Sequence, residues 1–231
     1  MPQTKMEKYL FNAQAVALGG SIRKPYFQEL GDHLAISTYA HSAGRSEASH
    51  RDFSLGEDIR YRSAFTKIDA VENGTFHETT VIAQVEGLQI GRRLSVDKVT
   101  CQLHSLYDSR TYPGRCRPRI LPTGSKIEGL RIDGHLEELH LPPAFNAEEK
   151  REAFFRGERD EDPTLQPGGI PEPIHVPGFG TIFYAEWTWV YPDQHEQRLT
   201  MLRLALGSDL GAQVVVAMGG TDGTGWPPTA N

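Results

Sequence analysis

Val85-Glu86-Gly87-Leu88-Gln89-Ile90-Gly91 returns downstream as Ile127-Glu128-Gly129-Leu130-Arg131-Ile132-Asp133-Gly134, and this echo decides the fold class. Each copy alternates apolar and polar residues and closes on glycine, the pattern of a half-buried strand running into a turn. Between the copies lie a further strand-like run, Leu94 to Tyr107, and both cysteines of the chain. The echo marks a β-architecture built from a reused hairpin unit. It marks no chemistry.

Upstream of the echo, Ala64 to Val71 and Thr75 to Val85 flank Glu72-Asn73-Gly74. Asn-Gly between two strand-like runs predicts a type I′ hairpin, because both residues tolerate positive φ. Tyr9 to Ile22 reads as a strand with Phe11, Ala13, Ala15 and Ala17 on one face and Leu10, Val16 and Leu18 on the other. His33 to Tyr39 reads as a second short strand. The polar stretch His41 to Glu57 has no period and reads as a loop. Downstream, Asn146 is placed to cap a helix over 147–156, with acids in its first turn and Gly157 at its end. That helix sits in an insertion, 146–177, that is first acidic and then rich in Pro and Gly. Gly180 to Tyr191, Arg198 to Leu206 and Ala212 to Met218 are strongly β, and 219–231 reads as a Gly/Thr/Pro-rich tail. The expectation is one all-β domain over 1–218, an antiparallel sandwich or meander of about ten strands with a single short helix.

A chain of 231 residues buries roughly 70% of its unfolded surface and needs no covalent staples. A net charge of −6 argues against a nucleic-acid binder, which carries a basic field. Charge is uneven: Arg92, Arg93, Arg110, Arg115, Arg117, Arg119 and Lys126 cluster, while Glu148 to Asp162 is acidic. Such blocks are solvated faces or complementary contact surfaces. No run approaches the ~18 apolar residues of a membrane span. Met1-Pro2-Gln3-Thr4-Lys5 lacks the apolar core of a signal peptide, so the chain taken as given reads as cytoplasmic. Cys101 and Cys116 fall on two arms bent around Tyr112-Pro113-Gly114. A disulfide fits that spacing, though only the Cα separation decides it.

Four groups of residues are candidates for chemistry. His135-Leu136-Glu137-Glu138-Leu139-His140 looks like a zincin motif but fails it, because its histidines stand at i and i+5 instead of i and i+4. In a strand, His135 and Glu137 share a face and make a weak acid–base pair. His77 with Glu78 is a second such pair. Together with His33, His41 and His50 it would offer imidazole and carboxylate ligands, but the spacing fits no compact metal motif, so no metal or cofactor is assigned. Gly-x-Ser-x-Gly and Walker patterns are absent, and Gly219-Gly220-Thr221-Asp222-Gly223 precedes Trp-Pro-Pro instead of a helix. Finally, Phe183, Trp187, Trp189 and Tyr191 alternate along one strand. An aromatic row of this kind stacks on sugar rings, fills a partner's pocket, or forms core.

Several segments carry a resemblance when taken in order. They are Val85-Glu86-Gly87-Leu88, Leu94-Ser95-Val96-Asp97-Lys98-Val99, Ile127-Glu128-Gly129-Leu130-Arg131-Ile132-Asp133-Gly134 and Phe145-Asn146, then Val176-Pro177-Gly178-Phe179-Gly180-Thr181-Ile182, Leu199-Thr200-Met201-Leu202 and Val214-Val215-Val216-Ala217. Over about residues 80–220 the chain resembles the body of the choice-of-anchor P group of bacterial surface proteins. The resemblance implies an exported, β-rich, surface-associated protein and carries no activity with it. The acidic segment after Asn146 and the missing export signal depart from that group.

Three functional readings follow. The first is a non-enzymatic structural, adhesive or self-assembling protein that pairs with its own copies or another protein. The edges expected to do so are Tyr9 to Leu18 and Ala212 to Met218. The second is an enzyme with a His/Glu site, metal-assisted or not, in a sandwich or barrel mouth. The third is a carbohydrate-binding module using Trp187 and Trp189.

Overall fold

The computed structural model describes residues 11–23, 27–30, 35–40, 42–108, 119–145, 171–190, 196–207 and 211–221. They form two antiparallel sheets packed face to face, with no α-helix among them. One sheet, seven-stranded, contains β1 (Phe11–Ile22), β2 (Gln28–Glu29), β3 (Ile36–Ala40), β12 (Ile174–Val176), β13 (Gly180–Val190), β14 (Glu196–Leu206) and β15 (Gln213–Thr221). Its order is β12-β13-β14-β15-β1, with β2 and β3 both on the far side of β1. The other, eight-stranded, contains β4 (Gly44–Leu55), β5 (Ile59–Asn73), β6 (Phe76–Ile90), β7 (Leu94–Asp108), β8 (Arg119–Leu121), β9 (Lys126–Glu128), β10 (Arg131–Ile132) and β11 (His135–Leu136). Its order is β11-β10-β7-β6-β5-β4, with β8 and β9 also on β7. Strands β1 and β15 lie over β5, β6 and β7. The interface is filled by fully buried side chains including Leu18, Ile59, Ile68, Leu88, Leu103 and Met201, each stabilising the fold by about 1.5–3 kcal/mol through removal from water.

The two echoing stretches flank one strand. Against β7, Val85 and Ile127 both pair with Val99, Glu86 and Glu128 with Lys98, Gln89 and Arg131 with Ser95, and Ile90 and Ile132 with Leu94. Between them Gly87 and Gly129 both stand at φ +64. The similarity of the two segments therefore corresponds to one and the same register against β7.

Those glycines belong to a crease that crosses the whole sandwich. Left-handed residues occur on alternate strands: Asp52, Gly87 and Gly129 in one sheet, Ala185 and Ala217 in the other. At the crease each long strand inverts its in–out alternation. In β6, His77, Thr79, Val81, Ala83 and Val85 are buried before it, and Leu88 and Ile90 after it. In β5 the buried set changes from Ile59 and Tyr61 to Ala64, Thr66, Ile68 and Ala70. Register is kept, because Arg60↔Gln89 on one side and Ser63↔Glu86 on the other continue one ladder. A single bulge adds its residue to one strand only and shifts the pairing. Here neighbouring strands take the extra half-step together, so the buried face changes without a slip in register.

Turns complete the hairpins. Asn73 pairs with Phe76, so Gly74 and Thr75 form the tip, with Gly74 at φ +63. The turn thus sits one residue beyond the expected Asn73-Gly74. Asp133 and Gly134, at φ +51 and +81, make the two-residue tip between β10 and β11, the type I′ pattern. Arg93 locks this end of the molecule. It donates to both Asp133 oxygens at 2.7 and 2.6 Å and to the Pro177 carbonyl at 2.9 Å, and it lies over the Phe179 ring. A member of the basic cluster is thereby a clamp between the two sheets.

Other expectations change. Most of His41 to Glu57 is the strand β4 and not a loop, paired with β5 from Gly44↔Ala70 to Leu55↔Ile59. The strands expected to be edges, Tyr9 to Leu18 and Ala212 to Met218, pair with each other as β1 and β15 inside their sheet. Their small residues fit a crowded centre, and Gly219 faces Cys101 and Val81 across the core. Strand β15 runs through Gly219 and Gly220 to Thr221, so these first residues of the expected tail are strand, and 222–231 lie outside the described residues. The expected helix over 147–156 lies outside the described residues.

Candidate functional site

The structure separates the sequence-derived candidates more than it gathers them. His77 and Glu78 are neighbours on β6 and point to opposite faces. The His77 ring is buried between Phe11 and Tyr107, at 5.9 Å between centroids in each case. Burial holds its imidazole below the ordinary value, partly offset by the Glu72 carboxylate. Burial pushes the Glu78 carboxyl up. A general acid–base pair must reach one substrate, and these two face different sides of a sheet.

His135 is exposed in β11, while Glu137 follows that strand and donates its backbone N–H to the Leu130 carbonyl at 2.9 Å. No hydrogen bond or ion pair joins the two side chains among the described residues. Of the other histidines, His33 and His41 lie outside the described residues. His50 meets the Tyr61 hydroxyl at 3.2 Å, where burial pushes the Tyr61 phenol up to about 12. Among the described residues no group of three or more His, Cys, Asp or Glu is arranged to hold a metal.

The aromatic row is broken by the crease. Ala185, at φ +51, inverts the alternation between Phe183 and Trp187. Phe183 lies under the Arg203 guanidinium, 3.8 Å from its ring centroid, and Arg203 donates to Glu186 at 2.6 and 2.8 Å. Trp187 instead packs against the main core. The side chain of Trp189, and Tyr191 altogether, lie outside the described residues. Cys101 is a buried free thiol, 3.5 Å from the Leu199 carbonyl oxygen, and burial pushes its pKa up. Cys116, its expected partner, lies outside the described residues.

Two features that the sequence did not flag remain. One is a polar notch on the outer face of the β1 sheet, about 220 Å³, lined by Asn12, Ala13, Gln14, Ser37, Arg198, Gly220 and Thr221. Ser37, Gln14, Gly220 and Arg198 form one cross-strand row. A Cβ on Gly220 would stand 3.0 Å from Arg198 Cγ and 3.1 Å from Gln14 Cγ, so glycine is what leaves the notch open. Amides, hydroxyls and one guanidinium suit recognition of an acidic or hydroxylated group; this lining contains no carboxylate, imidazole or thiol to exchange a proton. The other is β4 itself, twelve residues long, exposed or half-exposed throughout and at the end of its sheet's order. An open strand edge is a template for another strand. The residue pattern of β4 did not announce it, because from Gly44 to Asp52 its faces are mostly polar and only Phe53 and Leu55 at its end pack on the core.

No helix among the described residues is long and apolar enough to cross a membrane. No curated protein and no solved structure matches the chain. One family model does match, over residues 9–170, which takes in the whole eight-stranded sheet together with β1, β2 and β3. The chain therefore belongs to the family described as Domain of unknown function (DUF8256).

Proposed function

We propose that this protein acts by association and not by catalysis, as a β-rich structural or adhesive domain that assembles with its own copies. The observation that carries the reading is β4: a twelve-residue strand, exposed or half-exposed along its length, at the end of an eight-stranded sheet. Backbone hydrogen bonds across such an edge give affinity, and the side chains alternating along it give selectivity. The candidates for chemistry weigh on the same side. His77 and Glu78 face apart, and the sandwich interior is packed with aliphatic side chains. The resemblance to choice-of-anchor P proteins adds the proposal that the assembly works at a cell surface.

Sedimentation velocity of the full chain over a wide concentration range tests this reading. A weight-average mass that rises with concentration supports it. A monomer at every concentration removes self-assembly.

A further inference from the structure

The geometry points to a specific contact: β4 pairs antiparallel with β4 of a second copy about a two-fold axis at Ser49, so that Glu47 of each copy faces Arg51 of the other. This inference rests on the association reading and names its surface.

Strand β4 is held on one side by β5, and among the described residues no strand takes its other side. Ser46, Ala48 and His50 stand opposite Ile68, Thr66 and Ala64, which are buried, so these even-numbered positions face the sandwich. Arg45, Glu47, Ser49 and Arg51 therefore share the outer face. When a sheet continues across a two-fold axis normal to it, outer residues meet outer residues, and only a few registers remain. An axis at Glu47 sets Glu47 against itself. An axis at Ala48 sets Arg45 against Arg51. Like charges directly opposite destabilise a pair of strands.

An axis at Ser46 matches Arg45 with Glu47, but the overlap inside β4 shrinks to Gly44–Ala48. An axis at His50 sets Glu47 against Phe53, across the crease at Asp52. The axis at Ser49 makes two Glu47–Arg51 pairs and sets small Ala48 beside His50. It also runs the match from Ser46 to Asp52, where the left-handed Asp52 ends it on both copies.

Charge argues for a second copy over an unrelated strand. The Glu47 side chain is about half exposed (53%) and meets Arg45 of its own chain through one carboxylate oxygen at 2.8 Å, which leaves its second oxygen for Arg51 of the other copy. Arg51 is exposed and forms no ion pair among the described residues. Both belong to one strand, in the spacing that makes it complementary to itself in reverse. The contact is short, at the small end of specific interfaces (below roughly 1,200 Å²), so dissociation in the micromolar range is expected. The same charges have an opposite role in many proteins, where they keep edges from pairing, and the test separates the two.

The test is sedimentation velocity on the full-length wild type, Glu47→Arg, Arg51→Glu and the double reversal, each checked for its fold by circular dichroism. The expected result is a wild-type dimer, a dissociation constant raised about tenfold or more by either single reversal, and recovery in the double variant. Glu47→Gln, which adds no new charge, should weaken the dimer less. Single variants that dimerise like wild type overturn this contact while leaving self-association standing. Weakening without recovery overturns the register. A wild type that stays monomeric overturns both the contact and the reading beneath it.

Discussion

Replacing Gly129 by alanine tests whether the crease is a built feature. Gly129 sits at φ +64, and a Cβ there would overlap the Asp97 carboxylate, standing 2.5 Å from its Cγ. That carboxylate is held by Arg131 at 3.0 Å from both oxygens. Two costs follow. The left-handed conformation costs an L-residue about 1–2 kcal/mol. Swinging Asp97 away loses an exposed ion pair, worth up to about 1 kcal/mol. Lower unfolded-state entropy returns about 0.4–1 kcal/mol, leaving a net loss of about 1–2 kcal/mol, and a chain of this size shifts its Tm by about 2–4 °C per kcal/mol. Gly91→Ala is the control, because Gly91 also has positive φ (+54) but an added methyl there would meet nothing within 4 Å. Urea unfolding of both variants, each with and without Asp97→Ala, measures the difference. Gly129→Ala should cost more than Gly91→Ala, and Asp97→Ala should shrink the gap. Equal costs in both backgrounds refute the argument that Asp97 fills the space glycine leaves.

Other outcomes follow from single sites. His77 is held below its ordinary value by burial, with Glu72 opposing. Its neutral form is favoured in the fold, so stability is complete above the unfolded pKa of about 6.5 and declines as pH falls below it; His77→Gln should flatten the slope of urea-derived stability between about pH 7.5 and 5.5. Arg203 pairs bidentately with Glu186 and caps Phe183, so Arg203→Ala should cost about 1–2 kcal/mol, and Arg203→Lys, lacking the planar fork, should recover little of it. Leu88 is fully buried, and Leu88→Ala should cost about 2–5 kcal/mol in the same assay. In a Cys116→Ser background, Cys101 should stay unreactive to a thiol reagent until the protein unfolds, because the thiol is buried and its ionisation suppressed; prompt labelling of the folded protein would contradict that placement.

Much of the fold was legible because burial leaves a period. Strands β5, β6 and β7 carry apolar residues at alternate positions, and the echo marked the two flanks of β7. What stayed hidden has physical reasons. Strand β4 is solvated on both faces over much of its length, so no apolar period distinguishes it from a loop. Tyr9 to Leu18 was expected as an edge, yet Ala13, Ala15 and Ala17 are small because β1 packs closely beside β15 under the opposite sheet. The aromatic row from Phe183 to Tyr191 assumed unbroken alternation. Alanine at positive φ breaks it at Ala185, and no propensity rule expects alanine there. The notch at Gly220 depends on residues from β1, β3, β14 and β15 that only the register brings together.

Hydrogen exchange read by mass spectrometry, as a function of protein concentration, tests the central claim most directly. If β4 is an assembly edge, amides in peptides spanning 44–55 should exchange more slowly at high concentration than at low, while those of the interior strand β6 should be protected equally at both. Exchange in β4 that is rapid and independent of concentration would contradict assembly through this edge.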